Sequence, residues 1–212
     1  MSIDVLMAIE HKIDSIVLAA GKGTRAGGPK ALLRLNNTTF VEYIINKLLH
    51  APVARIIVVT RPEIFNEIKT IALSNRVLVI LNSEDKGDQL SSIRVGLKHA
   101  SDDSTGFICW PVDIPMVKTG TIHSLITTSS SVNKNIILPK YNNKRGHPVI
   151  FKKNMYHALS SLCPAESGAR WLIHQYPREI LELEVNDPGI LLNVNTPEEL
   201  ALIHKLHALH IE

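Results

Sequence analysis

The sequence predicts an α/β fold of the doubly wound type, in which a mostly parallel sheet lies between two layers of helices. The chain has 212 residues, of which 45% are hydrophobic, and this is enough for a sizeable core. Short, continuously apolar runs, typical of strands buried on both faces, alternate with segments whose apolar residues recur every three or four positions. A glycine-rich loop directly follows the first apolar run. Together these observations predict three layers and a ligand site beside that loop.

The first half of the chain predicts a regular alternation of strands and helices. The apolar runs are SIVLAA (15–20), RIIVVT (55–60), RVLVIL (76–81) and GFICW (106–110). Helical spacing of apolar residues occupies residues 39–50, 62–73 and 90–100. Thr39 is followed three residues later by Glu42, a pattern typical of a capping box, so the first helix is expected to begin there.

After about residue 130 the predicted strands become shorter. They are NIILP (135–139), HPVIF (147–151), ILELEV (180–185) and ILLNV (190–194). Helices are expected near 153–161 and 167–176, and a last one from Pro197 to about His210, with Thr196 as its N-cap. The polar stretch SSSVNKN (129–135) is predicted to be a surface loop. No linker divides the halves, so one domain is expected.

Composition excludes several classes of function. The net charge is only +3, the basic residues are scattered and aromatic residues make up 5% of the chain, which argues against nucleic-acid binding. Cys109 and Cys163 lack the spacing of a zinc site or a disulfide framework, so both are expected to be free thiols in a reducing cytoplasm. No apolar run approaches the length that spans a membrane.

The loop that follows the first strand has features of two known phosphate motifs but satisfies neither. Gly21, Gly23 and Ala26 match the dinucleotide pattern G-x-G-x-x-A. That pattern must open a helix and be followed by an acid after the second strand, about 20 residues on. Residues 27–29, Gly-Gly-Pro, would break such a helix, and Glu42 lies within a predicted helix. The dinucleotide interpretation therefore fails.

A Walker A loop fails for a similar reason, because residues 23–30 have its glycine spacing but end in Pro-Lys instead of Lys-Ser or Lys-Thr. A third interpretation is an open, basic glycine loop whose backbone N–H groups surround a triphosphate together with Lys22, Arg25 and Lys30. Arginine grips phosphate with two hydrogen bonds and lysine adds a point charge, which suits a leaving pyrophosphate. The simpler alternative is a plain surface loop.

Residues 18–33, L-A-A-G-x-G-x-R-x-G-x-P-K-A-L-L, resemble the signature of the MobA-like NTP transferase family, which contains molybdenum-cofactor cytidylyl- and guanylyltransferases. Further elements match the family in the same order and extend the resemblance from residue 14 to about 205. They are DQLSSIRVGL (88–97), WPVDIP (110–115), RGHPVIF (145–151), GAR (168–170) and NVNTPEEL (193–200). Asp88 departs from the family, which usually has glycine at that position.

The resemblance implies a Rossmann-like fold of the nucleotide-diphospho-sugar transferase type and a Mg²⁺-dependent reaction. NMP would pass from CTP or GTP to a phosphorylated acceptor, a molybdopterin, with release of pyrophosphate. Residues 14–100 would form the NTP-binding half, and residues 101–212 the acceptor-binding half, of a single domain spanning residues 1–212. R-G-H-P-V (145–149) favours cytidylyl transfer and N-V-N-T-P (193–197) favours guanylyl transfer, so the base stays open. The oligomeric state is not predicted.

Two alternatives stay open beside this interpretation. One is a nucleotidyltransferase for sugar or polyol phosphates, with the same fold and another acceptor. The other is a nucleotide-binding module without catalysis, in which Asp88, Asn193 and Asn195 mark a decayed site.

Nucleotidyl transfer requires charge neutralisation at the phosphates, and the expected catalytic residues are Arg25, Lys30 and Asp113. Asp113 follows a predicted buried strand, and carboxylate oxygens suit Mg²⁺. Its local sequence, P-V-D-I-P (111–115), alone favours a turn-forming residue. Taken together with the glycine loop, the same sequence favours a metal ligand at Asp113. Asn195 is the expected second ligand through its amide oxygen, with Asn193 or a turn before the last helix as alternatives.

The resemblance also implies binding residues. His147 and Arg170 would contact the acceptor, although a loop histidine and a surface arginine are the simpler interpretations. His204, His207 and His210 recur every three residues, but a solvated helix face is expected there rather than a metal site. One of the serines at 91 and 92 also fits a helix start. The nucleotide-binding set is Leu18, Ala19, Ala20, Gly21, Gly23, Thr24, Arg25, Lys30, Ser91 and Ser92.

Overall fold

A mostly parallel sheet runs through the protein, as the sequence predicts. The computed structural model describes residues 12–83, 88–162 and 169–209. The main sheet contains β1 (Ile13–Leu18), β4 (Val53–Thr60), β5 (Val77–Leu81), β6 (Gly106–Pro111), β7 (Ile136–Tyr141), β8 (Lys144–Arg145), β9 (Val149–Lys152) and β10 (Ile180–Glu184). A separate hairpin pairs β2 (Arg34–Leu35) with β3 (Thr38–Thr39).

Six α-helices occupy the described residues: α1 (Phe40–Leu49), α2 (Pro62–Ile71), α3 (Gln89–Leu97), α4 (Thr119–Ser131), α5 (Arg170–Gln175) and α6 (Pro197–Leu209). Short 3-10 turns lie at Thr24–Ala26, Lys30–Leu32, Lys153–Met155, Pro177–Glu179 and Pro188–Leu191, and a π-helical turn at Ala158–Leu162. None of the described helices combines the length and the apolar content needed to cross a bilayer.

The strand order is β10-β7-β9-β6-β1-β4-β5, which places β1 between β6 and β4. Both neighbours run parallel to β1, whereas β9 is antiparallel to β6 and β7. Leu18, the last residue of β1, pairs with Pro111, the last residue of β6. Because parallel strands end at the same edge of a sheet, the loops that follow these two residues lie side by side.

The core has one part on each face of the sheet, which confirms the three predicted layers. On one face, Phe40 of α1, Leu125 of α4 and Ile203 of α6 pack into the cluster that contains Trp110. On the other face, Ile93 of α3 and Leu172 of α5 pack into the cluster that contains Ile16 and Phe107. Burial of both faces explains why the central strands are continuously apolar.

Two sequence-based predictions about elements are wrong, and one helix is missed. Residues 190–194 do not form a strand, because Asp187 accepts a hydrogen bond from Gly189 N at 2.9 Å and the following residues form a 3-10 turn. Helix α4 is not predicted, since Ser and Thr are weak helix formers, and it is stabilised by burial of residues such as Ile122 and Leu125. Ser129–Ser131 therefore belong to this helix and not to a surface loop. The helical segment expected at 153–161 is present, as a 3-10 turn at Lys153–Met155 that leads into a π-helical turn at Ala158–Leu162.

The predicted helix starts at Thr39 and Thr196 are confirmed. Thr39 and Glu42 form a reciprocal capping box, and Thr196 Oγ1 accepts from Glu199 N at 3.3 Å. His207 is half-buried, and its ring packs edge-on 5.6 Å from that of Tyr43.

Cys109 is a free, buried thiol, and burial raises its pKa to about 12. Cys163, Gly168 and His210 lie outside the described residues.

Two helical glycines should respond to alanine in opposite directions. A Cβ at Gly96 of α3 would lie 2.8 Å from Ile16 Cγ2, so Gly96→Ala should lower the free energy of unfolding by about 1–3 kcal/mol. A Cβ at Gly120 of α4 meets nothing within 4 Å, so Gly120→Ala should raise it by up to about 1 kcal/mol. Urea unfolding of both variants checks this, and equal effects would contradict the close packing of α3 on β1.

Candidate active site

The loop after β1 is shaped by its glycines. Gly23 has a φ of 62°, its carbonyl oxygen accepts hydrogen bonds from Ala26 N at 2.8 Å and Gly28 N at 3.2 Å, and a Cβ on it would lie 1.9 Å from Gly28 O. The loop therefore closes on itself only with glycine at position 23. It continues into two 3-10 turns instead of an α-helix, so neither a dinucleotide fingerprint nor a Walker A loop is present.

Three predicted residues meet at the end of this loop. Lys30 Nζ donates to Asp113 Oδ2 at 2.7 Å and to Asn195 Oδ1 at 2.6 Å. The side chains of Lys30 and Asp113 are only 15% and 20% exposed. Two oxygen atoms from distant parts of the sequence thus converge on one cationic group. Asn193 is exposed, so of the two asparagines the geometry favours Asn195 as the second predicted metal ligand.

The segment that carries Asp113 is held by hydrogen bonds on several sides. Val194 N donates to Asp113 O at 2.9 Å, and Trp110 Nε1 donates to Ile114 O at 2.9 Å. Lys47 of α1 donates to backbone carbonyls two and four residues after Asp113, and burial lowers its pKa to about 8. No pattern in the sequence indicates Lys47, because it lies 66 residues away from Asp113. These contacts fix the position of the carboxylate relative to the sheet.

Two adjoining cavities lie along the loop and share Gly21 and Lys30. The first, of about 270 Å³, is lined by Leu18, Ala20, Gly21, Lys30, Asp88, Gln89, Ser92, Pro111, Val112 and Asp113. The second, of about 240 Å³, is lined by Gly21, Lys22, Gly23, Thr24, Arg25, Lys30 and Asn195. Of the predicted nucleotide residues, only Ala19 and Ser91 line neither cavity. Ala19 is fully buried, and its N–H donates to Val59 O at 2.8 Å.

The start of α3 separates the roles of the two serines. Asp88 is the N-cap, and its Oδ1 accepts from Ser91 N at 2.7 Å, while Ser91 Oγ donates back to Asp88 O at 3.0 Å. Asn82 Nδ2 donates to Ser91 Oγ at 2.8 Å and to Ser92 Oγ at 3.0 Å. Ser91 thus belongs to the helix start, and Ser92 lines the first cavity. Asn82 was missed, although a polar residue directly after a buried strand was a usable signal.

A third cavity, of about 490 Å³, brings together both residues predicted to bind the acceptor, His147 and Arg170. Its lining is Gln89, Cys109, Leu138, Arg145, Gly146, His147, Val149, Phe151, Ala169, Arg170, Ile173 and His174. Gln89 also lines the first cavity, so the two spaces are neighbours. His174 and Gln89 were not predicted, because single polar residues on helices carry no distinguishing pattern.

His147 is buried with an unpaired ring nitrogen. Among the described residues, its Nδ1 has no hydrogen-bond partner. Burial lowers the pKa of His147, and the positive charge of Arg170 lowers it further, whereas the negative charge of Asp113 raises it. The ring is therefore neutral at physiological pH, and His147 is one of the residues that line the third cavity.

A basic glycine loop opposite a carboxylate, at the carboxyl edge of a parallel sheet, is typical of proteins that bind nucleotide phosphates. The family model of the MobA-like NTP transferase domain matches residues 15–180, and the chain belongs to this family. The family resemblance seen in the sequence is thereby confirmed.

Individual relatives agree with this membership. The molybdenum cofactor guanylyltransferase of Vibrio atlanticus (strain LGP32) is 29% identical over 199 residues, which cover 92% of this chain and 96% of that protein. The crystal structure of Rv0371c from Mycobacterium tuberculosis H37Rv has a TM-score of 0.80 at 23% identity and covers 92% of this chain and 98% of that one. Rv0371c in complex with manganese has a TM-score of 0.74 at 22% identity, with the same coverage. These two structures show the shared fold.

The neutral His147 should make the protein sensitive to acid. Below the ordinary histidine pKa of about 6.5, the unfolded chain gains a proton that the folded protein resists, so stability is lost as pH falls. His147→Gln should remove this part of the loss, giving a shallower decline in the free energy of unfolding between about pH 7 and pH 5 in urea titrations. His123→Gln, on the exposed side of α4, serves as the control. A decline as steep in His147→Gln as in the control would contradict the assignment.

Proposed function

We propose that this protein is a Mg²⁺-dependent nucleotidyltransferase that moves NMP from GTP to a phosphorylated acceptor, a molybdopterin, and releases pyrophosphate. The observation that carries the proposal is the convergence of Lys30, Asp113 and Asn195 beside the basic glycine loop. The names of the curated relatives support guanylyl over cytidylyl transfer and support a molybdopterin acceptor. The N-V-N-T-P sequence at 193–197 agrees with the same choice of base.

The chemistry is a displacement at phosphorus. An oxygen of the acceptor phosphate forms a bond to the α-phosphorus of the NTP, and the bond from that phosphorus to the bridging oxygen of pyrophosphate breaks. The protein contributes position and charge, because the reacting groups are all anionic. Arg25 and Lys22 are exposed on the second cavity, so their cationic groups are available to a triphosphate. Lys30 adds a third positive charge at the boundary of both cavities.

The residues present fit a magnesium ion. Asp113 Oδ2 and Asn195 Oδ1 both reach one ammonium group, so the same two oxygens are close enough to hold a single cation. Carboxylate and amide oxygens are hard ligands of the kind Mg²⁺ prefers, and phosphate and water commonly complete its shell. Bound there, the ion would neutralise charge that develops on the phosphates. Within the described ranges no three His, Cys, Asp or Glu residues form a metal cluster, which agrees with a site completed by the nucleotide.

The third cavity is the proposed acceptor site. Arg170 lines it and provides positive charge for an anionic acceptor, and Arg145, which also pairs with Glu182, and neutral His147 complete this part of the wall. Its volume of about 490 Å³ is larger than that of either cavity along the loop. Gln89 lines both this cavity and the first, which supports adjacent positions for the donor and the acceptor. A division of one domain into residues 14–100 for the nucleotide and 101–212 for the acceptor is part of this proposal.

Asp113 should be essential for turnover. Asp113→Ala removes the only carboxylate among the three converging residues, so pyrophosphate release from GTP with molybdopterin should fall by at least about a hundredfold. The rate of pyrophosphate release should also fall steeply in Lys30→Ala and in Arg25→Ala, because each change removes a positive charge at the phosphates. The assay uses GTP and CTP labelled at the α-phosphate with molybdopterin, a sugar phosphate and a polyol phosphate as acceptors.

The matched control is Asp102→Ala, which removes an exposed acid from the opposite edge of the sheet and should leave the rate unchanged. Retained turnover in Asp113→Ala would overturn the metal assignment. Nucleotide binding without pyrophosphate from any acceptor would instead favour a non-catalytic module, and turnover only with a sugar or polyol phosphate would replace the acceptor.

Lys30 and a divalent ion should compete for the same two oxygens. Lys30→Met keeps the apolar part of the side chain and removes the ammonium group, so Mn²⁺ should bind the nucleotide-free protein about tenfold more tightly, equivalent to roughly 1.4 kcal/mol. Asp113→Ala should weaken Mn²⁺ binding in the same titration, followed by electron paramagnetic resonance. Unchanged Mn²⁺ affinity in Lys30→Met would show that the ion does not occupy the oxygens that Lys30 contacts.

A further inference from the structure

We propose that the carboxylate of Asp88 selects guanine in the first cavity. The inference rests on the proposed function, because it takes this cavity as the base end of the nucleotide site, and it goes further by naming the residue that chooses the base. Asp88 lines the cavity together with Ala20, Gly21 and Ser92. Lys30 and Asp113 line the same cavity and are assigned to the triphosphate and its ion. The carboxylate of Asp88 has no role in that assignment.

The carboxylate of Asp88 retains capacity to accept hydrogen bonds. An ionised carboxylate has about four acceptor positions on its two oxygens. In the part of the chain that the structure describes, the carboxylate accepts one hydrogen bond, from Ser91 N to Oδ1 at 2.7 Å. The N-cap role therefore uses one position and leaves the others for a ligand. The backbone of Asp88 is extended, with φ −82° and ψ 178°, so the residue does not need the conformational freedom of glycine.

Ser92 complements this arrangement with a donor. Its hydroxyl oxygen accepts from Asn82 Nδ2 at 3.0 Å, and Asn82 and Ser92 are 3% and 2% exposed, so the contact is buried. The hydroxyl proton of Ser92 remains to be donated. Asp88 is the N-cap of α3 and Ser92 lies in the first turns of that helix, and both residues line the first cavity. The cavity wall therefore offers an acceptor and a donor side by side.

Guanine fits this pattern better than the other bases. Its Watson–Crick edge presents the O6 acceptor, the N1–H donor and the N2 amino donor in a row. A carboxylate can accept from the two adjacent donors while a hydroxyl donates to O6. Cytosine and adenine each present one amino group beside an unprotonated ring nitrogen, whose lone pair would face the carboxylate. Uracil has one N–H between two carbonyl oxygens, so its edge also repels an anionic partner.

The test compares GTP with inosine triphosphate (ITP), which lacks only the N2 amino group. Wild-type protein should bind GTP about ten- to a hundredfold more tightly than ITP, since one hydrogen bond to a charged group is lost. Asp88→Ser preserves an N-cap side chain and removes the carboxylate, so the two affinities should become nearly equal. Asp88→Asn also preserves the cap and should shift preference toward xanthosine triphosphate, because the amide can donate to the oxygen at C2. Calorimetric titration gives the affinities, and thermal unfolding checks that α3 stays folded.

The outcomes separate this inference from the proposed function. An unchanged ratio of GTP to ITP affinity in a folded Asp88→Ser protein would overturn the role of Asp88 while leaving nucleotidyl transfer intact. Tighter binding of CTP than GTP by the wild type would overturn it as well. A wild-type protein that binds no nucleoside triphosphate would contradict the proposed function itself. Nearly equal affinities for GTP and ITP in Asp88→Ser, together with detectable GTP-dependent pyrophosphate release, would support both the role of Asp88 and the proposed function.

Discussion

The parallel pairing of β1 with β6 is the constraint on which the site depends. Leu18 and Pro111 are partners at the ends of these strands, so the chain leaves the sheet at the same place twice. One exit begins the glycine loop that leads to Lys30, and the other leads within two residues to Asp113. The register between these two strands therefore sets where both loops leave the sheet. Burial of the apolar side chains on both faces of β6 thus helps to fix the contact between Lys30 and Asp113, which lies beyond the end of this strand.

Charge balance explains why lysine, aspartate and asparagine meet where they do. A carboxylate that is 20% exposed is costly to leave without a partner, and Lys30 supplies one at 2.7 Å. In the proposed reaction, a triphosphate with a divalent ion would bring both a cation for Asp113 and anionic oxygens for Lys30. The ion pair between Lys30 and Asp113 would then be replaced by two others, Lys30 with a phosphate oxygen and Asp113 with the ion, so that neither charge is left unpaired. Asn195 is neutral and fits both states, since its amide oxygen accepts from an ammonium group and is also a ligand for a hard cation.

Sequence reasoning succeeded where the signal is local and failed where packing decides. β1, β4 and β6 were predicted because both of their faces are buried and their apolar runs are continuous, and Thr39 was predicted because capping needs only four residues. Helix α4 was missed because its Thr and Ser residues carry no helix preference, and burial of Ile122 and Leu125 provides the stability. The contact between Lys30 and Asn195 spans 165 positions, so no spacing rule reveals it, and only the family resemblance suggested that the two belong together.

Helix α3 connects the separate parts of the site. Asp88 caps it, Gln89 in its first turn lines both the first and the third cavity, and Ser92 lies one turn further on. Asn82 at the end of β5 holds the hydroxyls of this turn, so the strand and the helix are tied together through buried polar groups. Because one rigid element borders both cavities, a base held at Asp88 fixes the distance from the nucleotide to the acceptor wall. Recognition of the base and alignment of the two substrates would then depend on the same helix start, and an incorrect base would also be misaligned for transfer.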